Sequence, residues 1–136
     1  MTARVLQPPD WPRPRGYANG MSARGRLICL AGQIGWDASE RLAGDDFVSQ
    51  ARQALRNIVE LLACDGAGPE HLVRLTWYVV DRHDYLANAA ALGAVYREIL
   101  GRHYPAMTAV QVVALIEPGA VVEIEATAVV PDEPAL

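Results

Sequence analysis

The chain has 136 residues, 51% of them apolar, and a net charge of −4. That length suits one ordinary domain with one packed core, and the acidic balance argues against a nucleic-acid partner, which needs clustered Lys and Arg on phosphates. All twelve basic residues are arginines, so neither a Schiff-base lysine nor a P-loop lysine is available. Cys29 and Cys64 are too few for a disulfide framework and read as small buried thiols. No apolar run reaches the ~18–20 residues of a membrane span, and no leader-type segment stands out at the N-terminus. A soluble cytoplasmic protein is expected, with no membrane or nucleic-acid partner.

Residues 1–16 carry Pro8, Pro9, Pro12 and Pro14 around Trp11. Proline fixes φ and removes donors, which predicts an extended arm, with Trp11 pinning it to the body. One domain then runs over 17–131, followed by a short tail at 132–136. Residues 26–31, ended by Gly32, read as a strand, and 17–23 as its hairpin partner turning at Arg24-Gly25. Asp45 or Asp46 caps a helix whose apolar face is Phe47, Ala51, Ala54, Leu55, Ile58, Leu61 and Leu62, with Gln50 mostly turned elsewhere.

Residues 72–80 are rich in β-branched and aromatic side chains, as a strand requires. A second helix is predicted from about Asp84 to Leu100, stopped by Gly101. Two strands follow at 107–116 and 121–130, with a turn at Glu117-Pro118-Gly119. Along the last strand Glu123, Glu125 and Thr127 face one way, and Val122, Ile124, Ala126 and Ala128 the other. The order β-β-α-β-α-β-β predicts an α+β fold of two layers, a mixed sheet with two helices on one face. The opposite face, with Trp77 or Tyr78, Val110 and Val112, is too apolar to stay wet, so self-association into a closed ring is expected.

Several stretches resemble landmarks of the Rid family, also called YjgF/YER057c/UK114. They are Gly16-Tyr17-Ala18-Asn19-Gly20, Leu30-Ala31-Gly32-Gln33-Ile34, the run from Gln50 to Asn57, Pro105-Ala106, and Glu123-Ile124-Glu125-Ala126. The resemblance covers about 17–130. It implies a chorismate-mutase-like (YjgF-like) fold, a barrel-like homotrimer, and a cleft between each pair of neighbours. It also implies a small-molecule ligand and no cofactor or metal. Carried over by position, Tyr17 and Glu123 are the catalytic candidates, with Glu123 handling water. Gly32, Met107 and Ala109 line the ligand. Trp36, just past the Gly32 motif, offers either a flat wall for a ring-containing ligand or cover for the trimer seam.

The departures are informative. Met107 stands where the family places an arginine that clamps a substrate carboxylate, and a thioether forms no charge-assisted pair. Ala31, Gly93 and Ala109 stand where serine, asparagine and cysteine are common. A replacement cation is expected from a neighbouring subunit or from Arg24 or Arg26. The resemblance therefore implies an imine or enamine deaminase-like hydrolase with altered specificity. The alternative is a non-catalytic trimeric metabolite-binding or chaperone-like module. Endoribonuclease activity of the L-PSP type is disfavoured by the acidic pI, near 5.3. His71, His83 and His103 lack metal-ligand spacing.

Overall fold

Alternation of burial along the last strand sets the layers. In strand β6 (Val122–Val130), Val122, Ile124, Ala126 and Ala128 are buried, while Glu123, Glu125 and Thr127 are only half covered. The structure, a computed structural model, describes residues 3–133. Met1, Thr2 and the tail residues 134–136 lie outside the described residues. Ahead of β6 come β1 (Arg4–Leu6), β2 (Gly20–Ser22), β3 (Arg26–Ile34), α1 (Phe47–Ala63), β4 (Leu72–Val79), α2 (Arg82–Ala87), α3 (Ala89–Leu100) and β5 (Ala106–Gln111). A short 3-10 turn, Pro69–His71, leads into β4.

The main sheet has the order β3-β6-β4-β5. β3–β6 and β6–β4 are antiparallel and β4–β5 is parallel, so the sheet is mixed as predicted. All three helices cover one face. Their apolar stripes meet Leu75, Trp77, Val79, Val122, Ile124 and Ala126 in a single core. Trp77 is therefore a core residue, and Tyr78 is the aromatic on the open face. No helix among the described residues is long and apolar enough to cross a membrane.

Four local expectations change. First, β2 pairs with β1, not with β3. Ala18 bridges Ala106 at the start of β5 and donates its N–H to the Pro105 carbonyl at 3.0 Å. β5 and β3 are opposite edges of the sheet, so a segment anchored at one cannot zip along the other. Second, β5 stops at Gln111, because the chain must cross β4 to reach β6 and the two strands are not neighbours. The predicted turn survives, with the Ala120 N–H bonded to the Glu117 carbonyl at 3.1 Å.

Third, the second helix is broken at Asn88 into α2 and α3, giving three helices rather than two. The Asn88 side chain donates to the Asp84 carbonyl at 2.7 Å, a side chain competing for a backbone acceptor. The first piece starts at Arg82 and not at Asp84, with Asp81 capping α2 by accepting from the His83 N–H. Fourth, Gln50 is fully buried. Its amide donates to the Gly44 and Gly119 carbonyls, each at 2.9 Å, and accepts from the Val121 N–H at 2.9 Å.

The arm is extended, as expected, but Trp11 is 57% exposed and pins nothing. Gln7 organises this stretch instead, donating to the Trp11 carbonyl at 3.1 Å and accepting from Asn19 at 3.0 Å. Both cysteines are exposed, Cys29 on the open face of β3 and Cys64 at the C-cap of α1.

Candidate functional site

The sequence candidates fall into two groups on opposite faces of the sheet. Met107 sits on the edge strand β5 opposite Leu75 of β4, packed against the core on the helix-covered side. Ala109, two residues on, shares that face beside Trp77. Gly32 and Glu123 form the second group, near the bulge where β3 and β6 shift register. A Cβ built on Gly32 would lie 2.8 Å from the Glu123 carboxyl carbon, so the carboxylate rests against bare backbone. Two strand spacings, roughly 9–10 Å, separate β5 from β6 across β4.

The two acids of β6 differ. Tyr78 donates to Glu125 at 2.7 Å. That hydrogen bond, with smaller contributions from burial and from the charges of Glu125 and Glu123, raises the Tyr78 phenol above its ordinary value. The Glu123 side chain takes part in no hydrogen bond or ion pair among the described residues. Its carboxylate is free to accept a proton or hold a water.

Met107 opens onto a cavity of about 290 Å³ between the sheet edge and α3. The walls are Arg15, Gly16, Trp77, Tyr85, Ala89, Leu92, Gly93, Tyr96, Arg97, Tyr104 and Met107. Trp77 and Tyr85 meet edge-to-face at 6.2 Å, and Tyr96 stacks on Tyr104 at 5.3 Å. Burial pushes the Tyr85 phenol up. Burial, with a smaller effect of Tyr104, pushes Tyr96 well above the usual phenol range, and its hydroxyl donates to the His103 carbonyl at 2.6 Å. The Trp77 indole N–H is buried without an acceptor.

Tyr17 lies in an adjoining cavity of about 440 Å³, lined by Val5, Gln7, Arg13, Pro14, Ala18 and Tyr104. The Tyr104 ring borders both cavities. The Ala18–Ala106 bridge is what brings Tyr17 to the β5 edge. Trp36 lines neither cavity. It is half-buried, bridges Leu42, and its carbonyl accepts from Asn57 at 2.7 Å.

Within one copy, the cations beside Met107 are neither Arg24 nor Arg26. Arg26 is paired with Asp65, and Arg24 lines neither cavity. Arg15 and Arg97 are the ones in the Met107 cavity. The available signal was Gly93, a glycine inside a helical pattern four residues before an arginine, which leaves room on one helix face. No group of three His, Cys, Asp or Glu side chains among the described residues is placed to hold a metal.

Comparison with known proteins agrees with this architecture. The family model for endoribonuclease L-PSP matches residues 12–130. A 2-iminobutanoate/2-iminopropanoate deaminase of Capra hircus is 39% identical over 105 residues, covering 76% of this chain and 73% of that protein. A RutC family protein of Synechocystis is 32% identical over 133 residues, covering 96% and 99%. Among solved structures, the conserved Rid-family protein YyfB of Yersinia pestis superposes with a TM-score of 0.84 at 36% identity, covering 96% of this chain and all of that one. A YjgF/YER057c/UK114 family member from Mycobacterium tuberculosis gives a TM-score of 0.63 at 36% identity, covering 85% and 87%. With its sheet order, its helix layer and a family match over most of its length, the chain belongs to the Rid (YjgF/YER057c/UK114, endoribonuclease L-PSP) family.

Proposed function

We propose that this protein hydrolyses the C=N bond of a small imine, or of its enamine tautomer, in clefts formed between copies of itself. Its specificity differs from that of its 2-iminobutanoate/2-iminopropanoate deaminase relatives because Met107 replaces an arginine. The observation that carries the reading is the free Glu123 carboxylate lying against the Gly32 backbone, while its neighbour Glu125 is occupied by Tyr78. Glu123 takes a proton from water as the water oxygen bonds to the imine carbon, passes that proton to the nitrogen, and then relays the carbinolamine's hydroxyl proton to the same nitrogen. Collapse of the carbinolamine then breaks the C–N bond, releasing ammonia and a carbonyl product.

A ligand touching both groups of residues needs a second copy of the chain. Met107 and Glu123 lie on opposite faces of one sheet, so no single copy wraps both around a small molecule. The open face is also suited to burial. Val110 is 41% exposed there, Leu27 is 63% exposed, and Val113 and Ile116 stand fully exposed in the crossover before β6. We assign the assembly as a homotrimer with three shared clefts.

Ammonia release from freshly generated imines of increasing size tests the reading. Turnover that is abolished by Glu123→Ala supports it. Ligand binding that survives Glu123→Ala, with no turnover by the unaltered protein, overturns it in favour of the second reading, a non-catalytic metabolite-binding trimer. The absence of a cationic, carboxylate-clamping side chain at position 107 is what favours that alternative.

A further inference from the structure

We infer that Arg97, with Arg15 across the pocket mouth, is the anion-recognising group of the Met107 cavity. The ligand would then be a carboxylate carried on a branched or aryl apolar body. This inference rests on the hydrolytic reading for the reaction, but not for the binding.

The geometry begins in helix α3. Gly93 and Arg97 are four residues apart, and helical side chains lean back toward the N-terminus. Arg97 therefore lies over Gly93, and a Cβ added there would meet its Nη1 at 3.3 Å. A glycine is a poor choice inside a helix, because it costs backbone entropy and packs nothing. Here it vacates the space that a guanidinium fills. Arg15 reaches the same cavity from the N-terminal arm, next to Gly16.

Both guanidinium groups lack a partner. Arg26 and Arg52 form ion pairs with Asp65 and Glu98, whereas no carboxylate among the described residues lies within 4.0 Å of Arg15 or Arg97. The Trp77 indole N–H is buried out of reach of the cavity, so Trp77 contributes ring surface to the wall and not a donor. Two guanidinium groups with no carboxylate partner make the site complementary to an anion, and the arginine fork matches a carboxylate bidentately.

The remaining wall selects the body of the ligand. Met107 and Leu92 are apolar, and Tyr85 and Trp77 present ring surface. A volume of about 290 Å³ is near the lower end of the ~300–1,000 Å³ typical of small-molecule sites. The positive charge has moved from the sheet floor, where the family places it, to the helix wall opposite. Met107 then takes floor space that an arginine would fill, leaving a soft apolar surface for a side chain longer than that of a three- or four-carbon imino acid.

The test uses 4-methyl-2-oxopentanoate, a stable oxo analogue of a branched 2-imino acid, and its uncharged methyl ester. Binding is followed by calorimetry and by tryptophan fluorescence at low salt. The acid is expected to bind and the ester to bind at least tenfold more weakly. Arg97→Ala should weaken the acid roughly ten- to a hundredfold, with Arg97→Lys intermediate. Arg97 is exposed, so these variants should fold, and circular dichroism checks that they do. Equal affinity for acid and ester, an unchanged Kd in Arg97→Ala, or no binding of the acid by the unaltered protein overturns the inference. Arg97-dependent binding with no turnover of the matching imine leaves the inference standing and removes the hydrolytic reading. Turnover of that imine with an unchanged KM in Arg97→Ala does the reverse.

Discussion

Gly32 and Glu123 touch across the β3–β6 pair: a Cβ on Gly32 would sit 2.8 Å from the Glu123 carboxyl carbon and 2.9 Å from its Cγ. Real side chains do not approach so closely, so the glycine is what lets this carboxylate lie flat against the strand. Gly32→Ala must push Glu123 out of place. Displacing a catalytic group by about 1 Å costs roughly a hundredfold in rate. We expect kcat/KM for imine hydrolysis to fall by about that factor. The melting temperature should move little, since Gly32 is exposed. Full activity in Gly32→Ala would mean that Glu123 is not the group that handles water.

Gln50 predicts a stability effect with a functional echo. Its fully buried side chain ties the Gly44 and Gly119 carbonyls and the Val121 N–H together. Gln50→Leu keeps the volume but strands three backbone groups. A group left unpaired out of water costs roughly 1–3 kcal/mol, and water can reach the exposed Gly44 and Gly119, so a loss of about 1–3 kcal/mol is expected in urea denaturation. Val121 leads directly into Val122 and Glu123. Residual activity should therefore fall even at temperatures where the variant remains folded. A change below about 1 kcal/mol would show that the three groups find water instead.

Periodicity made some of this legible and hid the rest. The buried stripe of α1, from Phe47 to Leu62, follows helical spacing, and β6 alternates residue by residue. Both patterns are imposed by burial on one face, which is what a sequence records. Gln50 misleads because its polar atoms are satisfied by Gly44, Gly119 and Val121, contacts spanning up to 71 residues. Pairing partners were equally hidden. Nothing in residues 17–23 announces that Ala18 will bridge Ala106, and that one contact diverts β2 away from β3. At the site, Tyr17, Met107 and Glu123 are candidates that position alone offers. Arg97 is not among them, because its proposed role depends on the space above Gly93.

Asp46 gives a pH-dependent prediction. It caps α1 by accepting from the Ser49 N–H at 2.9 Å. The backbone N–H and side chain of Ser49 lower its pKa from 3.8, against a smaller opposing effect of burial. A depressed folded pKa means the contribution is fully present above the unfolded value and is lost as pH falls through the folded one. Asp46→Ala should cost about 1 kcal/mol at neutral pH, an ordinary N-cap loss for an exposed site. The gap between the two proteins should close as the pH drops below the carboxylate range. Asp46→Asn caps without charge, so its advantage over Asp46→Ala should be independent of pH, while its difference from the unaltered protein should change as Asp46 titrates. Parallel stability curves for Asp46→Ala and the unaltered protein down to strong acid would contradict the cap's charge dependence.

The placement of Met107 and Glu123 on opposite faces of one sheet makes the shared cleft testable by mixing. Light scattering should give about three times 14.7 kDa for the unaltered protein. Val110→Asp, which puts a charge on the open face, should give a folded but dissociated and inactive chain. Two further variants each kill one half of the cleft: Glu123→Ala removes the acid, and Met107→Trp fills the cavity beside Arg97. Each alone should form inactive trimers. If a cleft takes Glu123 from one copy and Met107 from the next, unfolding the two together and refolding them restores some intact clefts. Random assortment into threes gives roughly a quarter of the clefts both good halves, so about a quarter of the original activity should return. Clefts contained within single copies would regain nothing, because every copy in the mixture carries one defect. The regained fraction therefore reports directly whether catalysis runs across the subunit boundary.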